Sequence, residues 1–150
     1  MKKTVCELFA GVGGFRCGLN GIRTLDDLKK EEKWETVWFN QWEPAEKSTQ
    51  YAHDCYVYHF GTCLDKNGAD TTNFDIEDVD KKTIPDFNLL VGGFPCQDYS
   101  VASSLATSKG LEGEKGILWW SIRETIEAKR PPFVLLENVD RLLKSPARQR

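Results

Sequence analysis

Two residues far apart in the chain have side chains suited to nucleophilic and acid–base chemistry. Cys96 lies in GGFPCQDYS, directly after the apolar run DFNLLV, and Glu137 ends a second apolar run in FVLLENV. A cysteine reacts as its thiolate, which requires some exposure and a positive neighbour or a helix N-terminus. A carboxyl group after a buried run can have a raised pKa and act as an acid. Taken singly, each is better explained structurally, Cys96 as an inert buried thiol and Glu137 as a helix cap.

The elements that must position these two residues follow from the hydrophobic pattern. Strands are predicted at 4–11, 36–42, 75–79, 84–94 and 133–138, and helices at 15–22, 44–60 and 117–130. The stretch 26–35 is charged and predicts an exposed helix or a surface insertion, while 61–74 and 100–116 are typical of loops. Strands that alternate with helices predict an α/β fold with a parallel sheet covered on both faces.

The turn after the first strand, FAGVGG, contains three glycines and resembles a nucleotide-binding strand-to-helix turn. Glycines there let the backbone approach a ligand at the helix N-terminus. The spacing is not GxGxxG, so an ordinary tight turn explains it as well.

The ends of the next strands carry side chains suited to a nucleoside. Trp42, between Gln41 and Glu43, can stack on an adenine ring, and Asp75 can accept a hydrogen bond from its amino group. The structural alternative makes Trp42 a core residue and Asp75 a cap. Parallel sheets bind ligands at the carboxyl ends of their strands, where these residues and the reactive pair all fall. That clustering favours the functional interpretation over the structural one.

Composition narrows the class of protein. The 150 residues, 40% hydrophobic and 29% charged, suit one globular domain. The net charge is −3, made of −6 over residues 1–100 and +3 over 101–150, and the basic end is explained by a solvated surface as readily as by a phosphate backbone. The N-terminus lacks a signal peptide's apolar region and no apolar run reaches membrane-span length, so we expect a cytoplasmic protein.

The cysteines indicate neither a disulfide framework nor a metal site. Their number, five, is odd, and none forms a CxxC pair, so reduced thiols are expected. The residues His53, Cys55, His59 and Cys63 lack the paired spacing of zinc ligands, and no metal is predicted.

Together these segments resemble the cytosine-C5 DNA methyltransferases, which use S-adenosylmethionine (AdoMet). The matching segments occur in the family's order and are ELFAGVGGF, NQWEP, FDIEDV, LLVGGFPCQDYSVA, GILWW and PPFVLLENV. They extend over nearly the whole chain, and PCQ combined with ENV is highly specific. The resemblance implies a Rossmann-like class I AdoMet-dependent methyltransferase fold with a mostly parallel sheet.

The resemblance also implies roles for individual residues. The nucleophile would be Cys96, and the acid at the cytosine N3 and amino edge would be Glu137. The implied AdoMet-binding residues are Phe9, Gly11, Gly13, Gln41, Trp42, Asp75, Ile76, Pro95 and Leu118, and the implied substrate-binding residues are Gln97, Ser100 and Asn138. The family usually has glutamate where Gln41 stands, so whether Gln41 or Glu43 contacts the ribose stays open.

The implied mechanism begins with attack of the Cys96 thiolate on cytosine C6, while Glu137 supports protonation at N3. C5 becomes enamine-like, takes the methyl group from AdoMet and loses its proton as the cysteine leaves. The base must be flipped out of the duplex to reach such a site. The expected partner is double-stranded DNA, in a bacterial restriction–modification system. A tRNA cytosine-C5 methyltransferase of the same family is the alternative.

Family members usually continue beyond the point where this chain ends, at KSPARQR. The segments that follow are an arginine-bearing catalytic motif, a target-recognition region and a final helix. We therefore expect residues 1–150 to be a truncated, N-terminal part of the AdoMet-binding catalytic domain, inactive alone or nearly so. A complementary C-terminal polypeptide is a further expected partner, and a non-catalytic fragment is the other alternative.

Overall fold

The computed structural model describes residues 2–44, 49–93 and 117–138, with the Ile117 side chain excepted. Its strands are β1 (Thr4–Leu8), β2 (Glu35–Asn40), β3 (Leu89–Gly93) and β4 (Phe133–Glu137), and its helices are α1 (Gly14–Asn20), α2 (Tyr51–Phe60) and α3 (Ile117–Lys129). A short 3-10 helix, Leu25–Lys29, lies between α1 and β2. No helix in the described ranges combines the length and apolar character needed to cross a membrane.

The four described strands form one all-parallel sheet in the order β2-β1-β3-β4. β1 is central, with Val5 opposite Leu89 on one side and Thr4 opposite Glu35 on the other. β3 is apolar throughout, and β1 is buried throughout although it contains Glu7, because a parallel sheet buries both of its faces. The predicted α/β class with a parallel sheet is confirmed.

The core lies on both faces of this sheet. One face packs against α3 and the segment before β3, and its fully buried residues include Cys6, Leu8, Trp38, Leu90 and Ile122. The opposite face packs against α1 through Val5, Leu89, Val91, Phe15 and Leu19. Because successive residues of a strand point to opposite faces, both sets come from the same short runs.

The helix predicted from Pro44 to Phe60 begins later, at Tyr51. The side-chain amide of Gln50 accepts from the Glu43 N–H and donates to the Glu43 carbonyl, both at 2.7 Å. This paired contact brings the residue before α2 back against the NQWEP segment. The Pro44 prediction was therefore wrong, although the predicted end at Phe60 is confirmed.

The strand predicted at 75–79 is absent, and the chain forms successive turns there. Asp75 Oδ1 accepts from the Glu77 N–H at 3.1 Å, and the Asp75 carbonyl accepts from the Asp78 N–H at 3.0 Å. Buried Lys81 donates to the Ile76 and Val79 carbonyls, at 2.5 and 2.9 Å. These local bonds satisfy backbone groups that a strand would pair with a neighbour.

One further prediction is corrected by the structure, and another, which left a helix or a surface insertion open, is made more specific. β4 was expected to be buried, but Phe133 is 58% exposed and Leu135 47%. Among the described strands, β4 lies at the edge of the sheet and pairs only with β3. In the charged stretch 26–35, the only helical element described is the 3-10 helix. Thr24 and Asp27 cap the first turn of this helix reciprocally. The predicted loop 100–116 lies outside the described residues.

Candidate cofactor pocket

A cavity of about 390 Å³ opens where the carboxyl ends of β1, β2 and β3 meet. Its volume lies in the range of small-molecule binding sites. The residues that line it are Phe9, Asn40, Gln41, Trp42, Pro44, Asp75, Ile76, Glu77, Gly93 and Leu118. The walls are therefore mostly apolar or aromatic, with a few amide and carboxylate groups among them. This composition is typical of a site that encloses a nucleoside-like ligand.

Most of the cofactor-binding residues that the sequence predicts come together in this cavity. Those that line it are Phe9, Gln41, Trp42, Asp75, Ile76 and Leu118. Gly11 and Gly13 belong to the turn that follows Phe9, and Pro95 lies outside the described residues, as do Cys96, Gln97 and Ser100. These six residues thus come from four chain segments, each more than 30 residues from the next.

The glycine-rich turn has a backbone that only glycine adopts easily. Gly11 and Gly13 have φ angles of +56° and +92°, and the Gly13 carbonyl accepts from the Cys17 N–H at 2.9 Å as α1 begins. A Cβ atom on Gly13 would lie 2.6 Å from Cε2 of Phe60. The turn therefore packs directly on α2, and a side chain at Gly13 has no room.

Gln41 links the glycine-rich turn to the end of β2. Its Oε1 atom accepts from the Gly11 N–H at 2.7 Å, and its own backbone N–H donates to the Thr72 carbonyl at 2.9 Å. The Gly11 N–H can only donate, so this bond identifies the side-chain oxygen. The remaining polar atom of Gln41 is Nε2, a donor, where a glutamate would have a second acceptor.

Asn40 anchors the segment that carries Asp75 and Ile76. It is buried, and its Nδ2 donates to the Phe74 carbonyl at 2.9 Å and to the Thr72 carbonyl at 3.4 Å. Four residues of the lining were not predicted from the sequence: Asn40, Pro44, Glu77 and Gly93. A polar residue at the last position of an apolar strand is the signal that could have identified Asn40.

The sheet brings Glu137 to the same edge. Glu137 is the register partner of Gly93, and a Cβ atom on Gly93 would lie 3.2 Å from Glu137 Oε2. The carboxyl group thus lies over a residue that lines the cavity and that precedes Cys96 by three positions. Asn138 follows Glu137 and is half-buried.

The histidines and cysteines of α2 and its surroundings make other contacts. His53 Nε2 lies 3.0 Å from the Thr72 hydroxyl, and the Cys63 thiol donates to the Thr36 carbonyl at 3.6 Å. Within the described ranges, no group of three or more His, Cys, Asp or Glu side chains could hold a metal ion. The four cysteines described there, Cys6, Cys17, Cys55 and Cys63, are free thiols.

A parallel sheet with a glycine-rich first turn and a mostly apolar cavity at its carboxyl edge is typical of a Rossmann-like α/β fold. The chain belongs to the C-5 cytosine-specific DNA methylase family, whose model matches residues 3–150. The family implies transfer of a methyl group from a methyl donor.

Individual relatives agree with this assignment. The chain is 48% identical to the type II methyltransferase M.Sau3AI of Staphylococcus aureus, over 99% of this chain and 33% of that protein. It is 34% identical to the type II methyltransferase M.HhaI of Haemophilus parahaemolyticus, over 89% of this chain and 32% of that protein. For M.NgoBI of Neisseria gonorrhoeae, the identity is 33%, over 95% and 36% of the two chains. The chain therefore spans about a third of the length of these relatives.

Proposed function

We propose that this chain is the AdoMet-binding part of a DNA (cytosine-5-)-methyltransferase that acts in the cytoplasm within a restriction–modification system. The observation that carries the proposal is the cavity, which joins Phe9, Trp42, Asp75 and Leu118 at the sheet edge of a chain in this family. The relatives named above are type II methyltransferases, which supports double-stranded DNA as the substrate.

The lining of the cavity fits the chemistry of AdoMet. Trp42 offers an aromatic face to the adenine, and Asp75 offers an acceptor to the adenine amino group. In this proposal Gln41 donates to a ribose oxygen through Nε2, which the bond between Gly11 and Oε1 leaves as its other polar side-chain atom. Two carboxylates in the lining, Asp75 and Glu77, favour a ligand that carries positive charge. When bound, AdoMet supplies a methyl group activated by its sulfonium.

The catalytic step belongs to Cys96 and Glu137. The Cys96 thiolate adds to C6 of a flipped-out cytosine, and Glu137 holds a proton at N3, so the ring electrons collect at C5. After C5 has been methylated, loss of its proton returns the electron pair to the ring and breaks the bond between C6 and the cysteine sulfur. The position of Glu137 beside Gly93 supports its role, since that strand leads to Cys96. Gln97, Ser100 and Asn138 are the proposed contacts to the substrate.

Cofactor binding is tested by calorimetry of the chain with AdoMet. Replacing Trp42→Ala removes an aromatic wall worth on the order of 1.5 kcal/mol or more, so the affinity should fall about tenfold. Trp120→Ala is the matched control, because Trp120 lies on the exposed side of α3, away from the cavity lining. Equal affinities for the two variants would contradict the proposed pocket.

Catalysis is tested with labelled AdoMet and either duplex DNA or tRNA. We expect no methyl transfer by the 150-residue chain alone, and transfer to DNA after the chain has been completed with a C-terminal region. Cys96→Ser in the completed enzyme should abolish transfer. Transfer to tRNA in place of DNA would correct the substrate, and activity of the Ser variant would remove Cys96 as the nucleophile.

A complementary polypeptide is the partner we propose for the exposed side of β4. A nearly apolar groove of about 400 Å³ lies between α1 and β4, lined by Gly14, Phe15, Gly18, Leu19 and Leu135. The relatives are about three times as long as this chain, so the remaining two thirds of such a protein would supply the cover.

This partner is tested by co-expression with the C-terminal two thirds of M.Sau3AI. The two chains should co-purify, and Leu135→Asp should prevent this by placing a charge in the groove. Leu25→Asp is the control, since Leu25 is also exposed but belongs to the 3-10 helix. Co-purification that Leu135→Asp leaves intact would rule out the groove as the docking site.

A further inference from the structure

A buried carboxylate lies beneath the glycine-rich turn, outside the residues to which we have assigned a function. Glu7 belongs to the central strand β1 and is 1% exposed. The Tyr56 hydroxyl donates to its Oε2 at 3.0 Å, whereas its Oε1 has no hydrogen-bond partner among the described residues. Burying a carboxylate in this way costs free energy that an apolar side chain would avoid. Such a group calls for a functional explanation.

Glu7 ends a chain of donors that connects α1 and α2. Arg16 Nη1 donates to the Tyr56 hydroxyl at 3.4 Å, and Arg16 Nε donates to Glu32 Oε1 at 2.6 Å. The Arg16 guanidinium also lies 4.7 Å from the centre of the Phe60 ring. One positive charge thus lies between two carboxylates, of which Glu7 is the buried one.

The same side chains support the glycine-rich turn. A Cβ atom on Gly13 would lie 2.6 Å from Cε2 of Phe60 and 3.3 Å from Cε2 of Tyr56, so the turn rests on these rings. The backbone N–H groups of Phe15 and Arg16, just beyond the turn, favour the charged form of Glu7. The carboxylate therefore acts on the first residues of α1 and, through Tyr56, on the surface under Gly13.

We propose that Glu7 is a positioning residue: its ionised carboxylate, bonded to Tyr56, holds the glycine-rich turn in the conformation that binds AdoMet. This inference rests on the proposed function. An ionised carboxylate accepts from the Tyr56 hydroxyl and attracts the N–H groups at the start of α1. A protonated one keeps an acceptor at its carbonyl oxygen but loses the negative charge, so its attraction for these donors and its support of the turn weaken.

The charge on Glu7 changes close to neutral pH. Burial raises the pKa of Glu7 to about 7, against the opposing effects of Tyr56, Arg16 and the two backbone N–H groups. Among the described residues, the other titratable groups near it are the thiols of Cys6 and Cys17, whose pKa values are raised chiefly by burial, so both stay neutral in this range. AdoMet affinity should therefore fall as the pH drops below about 7.

Calorimetry with AdoMet between pH 6 and pH 8 tests this dependence. If only the ionised form binds well, the dissociation constant at pH 6 is about tenfold higher than at pH 8. Glu7→Gln should bind more weakly at pH 8 and lose this dependence. The ratio of the wild-type and Gln dissociation constants at each pH cancels titration of the ligand's own amino group.

The hydroxyl of Tyr56 gives an independent variant. Tyr56→Phe keeps the ring under Gly13 and removes the donor, so the midpoint of the profile should move to higher pH. Tyr58→Phe is the matched control, because Tyr58 is 84% exposed on the same helix. A Glu7→Gln profile parallel to wild type, or a Tyr56→Phe midpoint that does not move, would overturn the proposal.

A readout without ligand separates this inference from the proposed function. In the free chain, the backbone amide resonances of Gly13 and Phe15 should titrate with a midpoint near pH 7 in wild type and stay constant in Glu7→Gln. If they titrate while AdoMet does not bind at any pH, Glu7 positions the turn and the cofactor assignment is wrong. If they do not titrate in wild type, the positioning role is refuted, whatever the chain binds.

Discussion

Replacing Gly13 by alanine should weaken the fold more than any other glycine substitution in the first turn. Its φ angle of +92° costs an L-residue about 1–2 kcal/mol. The new Cβ atom would also lie 2.6 Å from Cε2 of Phe60, and relief of such overpacking costs about 1–3 kcal/mol. We therefore expect Gly13→Ala to lower the free energy of unfolding by about 3 kcal/mol.

Substitutions at two other glycines separate the backbone contribution to this loss from the steric contribution. Gly11 has a φ angle of +56° and no atom within 4 Å of an added Cβ, so Gly11→Ala should cost only the backbone part, about 1 kcal/mol. Gly18 lies within α1, has no atom within 4 Å of an added Cβ and has no positive φ. Gly18→Ala should raise the free energy of unfolding by about 0.5–1 kcal/mol, since alanine favours helix.

Urea denaturation followed by tryptophan fluorescence measures all three variants. The double variant Gly13→Ala with Phe60→Ala tests the steric part. Because the ring that the new Cβ atom would contact is removed, the double variant should be about 1–2 kcal/mol more stable than the sum of the two single losses predicts. Equal losses for Gly13→Ala and Gly11→Ala, with no coupling to Phe60, would refute the close packing of the turn on α2.

Three further predictions concern hydrogen bonds and buried charge. Gln41→Ala removes the acceptor of the Gly11 N–H and should cost about 1 kcal/mol of unfolding free energy, which Gln41→Glu should recover, as urea titration will show. Hydrogen bonds from lysines, chiefly Lys129, lower the pKa of Asp86 to about 2. The stabilisation that the ionised Asp86 gives the fold is therefore present above pH 4 and is lost as the pH falls toward 2. Asp86→Asn should therefore lower the free energy of unfolding by under about 1 kcal/mol at pH 7, and by less in acid. Thermal melts at each pH measure this difference. The pKa of Glu7 is raised to about 7 from 4.5, so the fold favours the protonated form and stability should fall by about 3 kcal/mol as the pH rises from 4.5 to 7. Glu7→Gln should remove that part of the pH dependence.

The stability prediction for Glu7 runs opposite to its proposed role in binding. The ionised carboxylate weakens the fold above pH 7 while supporting the turn that binds the cofactor. A residue kept for stability alone would show no such conflict. Measuring unfolding and AdoMet affinity across the same pH range therefore tests whether function or packing explains a carboxylate in the central strand.

Much of the fold was already evident in the sequence, for local physical reasons. β3 is a continuous apolar run and β1 is apolar apart from Thr4 and Glu7, because parallel strands bury both faces. The glycines Gly11 and Gly13 of FAGVGG mark a turn with positive φ. The cavity residue Trp42 was identified because it follows an apolar strand, and such strands end at one edge of a parallel sheet. Asp75 also lines the cavity, although it follows a polar loop and was assigned to a strand that the structure replaces with turns.

The hydrogen bonds between these segments were evident only in the tertiary structure. The late start of α2 depends on Gln50 reaching back to Glu43, and the turn at Asp75 is held by its own side chain and by a buried lysine. The environment of Glu7 is set by Tyr56, 49 positions further along the chain. Hydropathy and spacing report which residues favour burial, but a buried hydrogen bond forms between groups that the fold has brought together. The sequence by itself therefore determined the parallel sheet and the edge at which the cavity lies, and long-range packing decided how the turn at that edge is held.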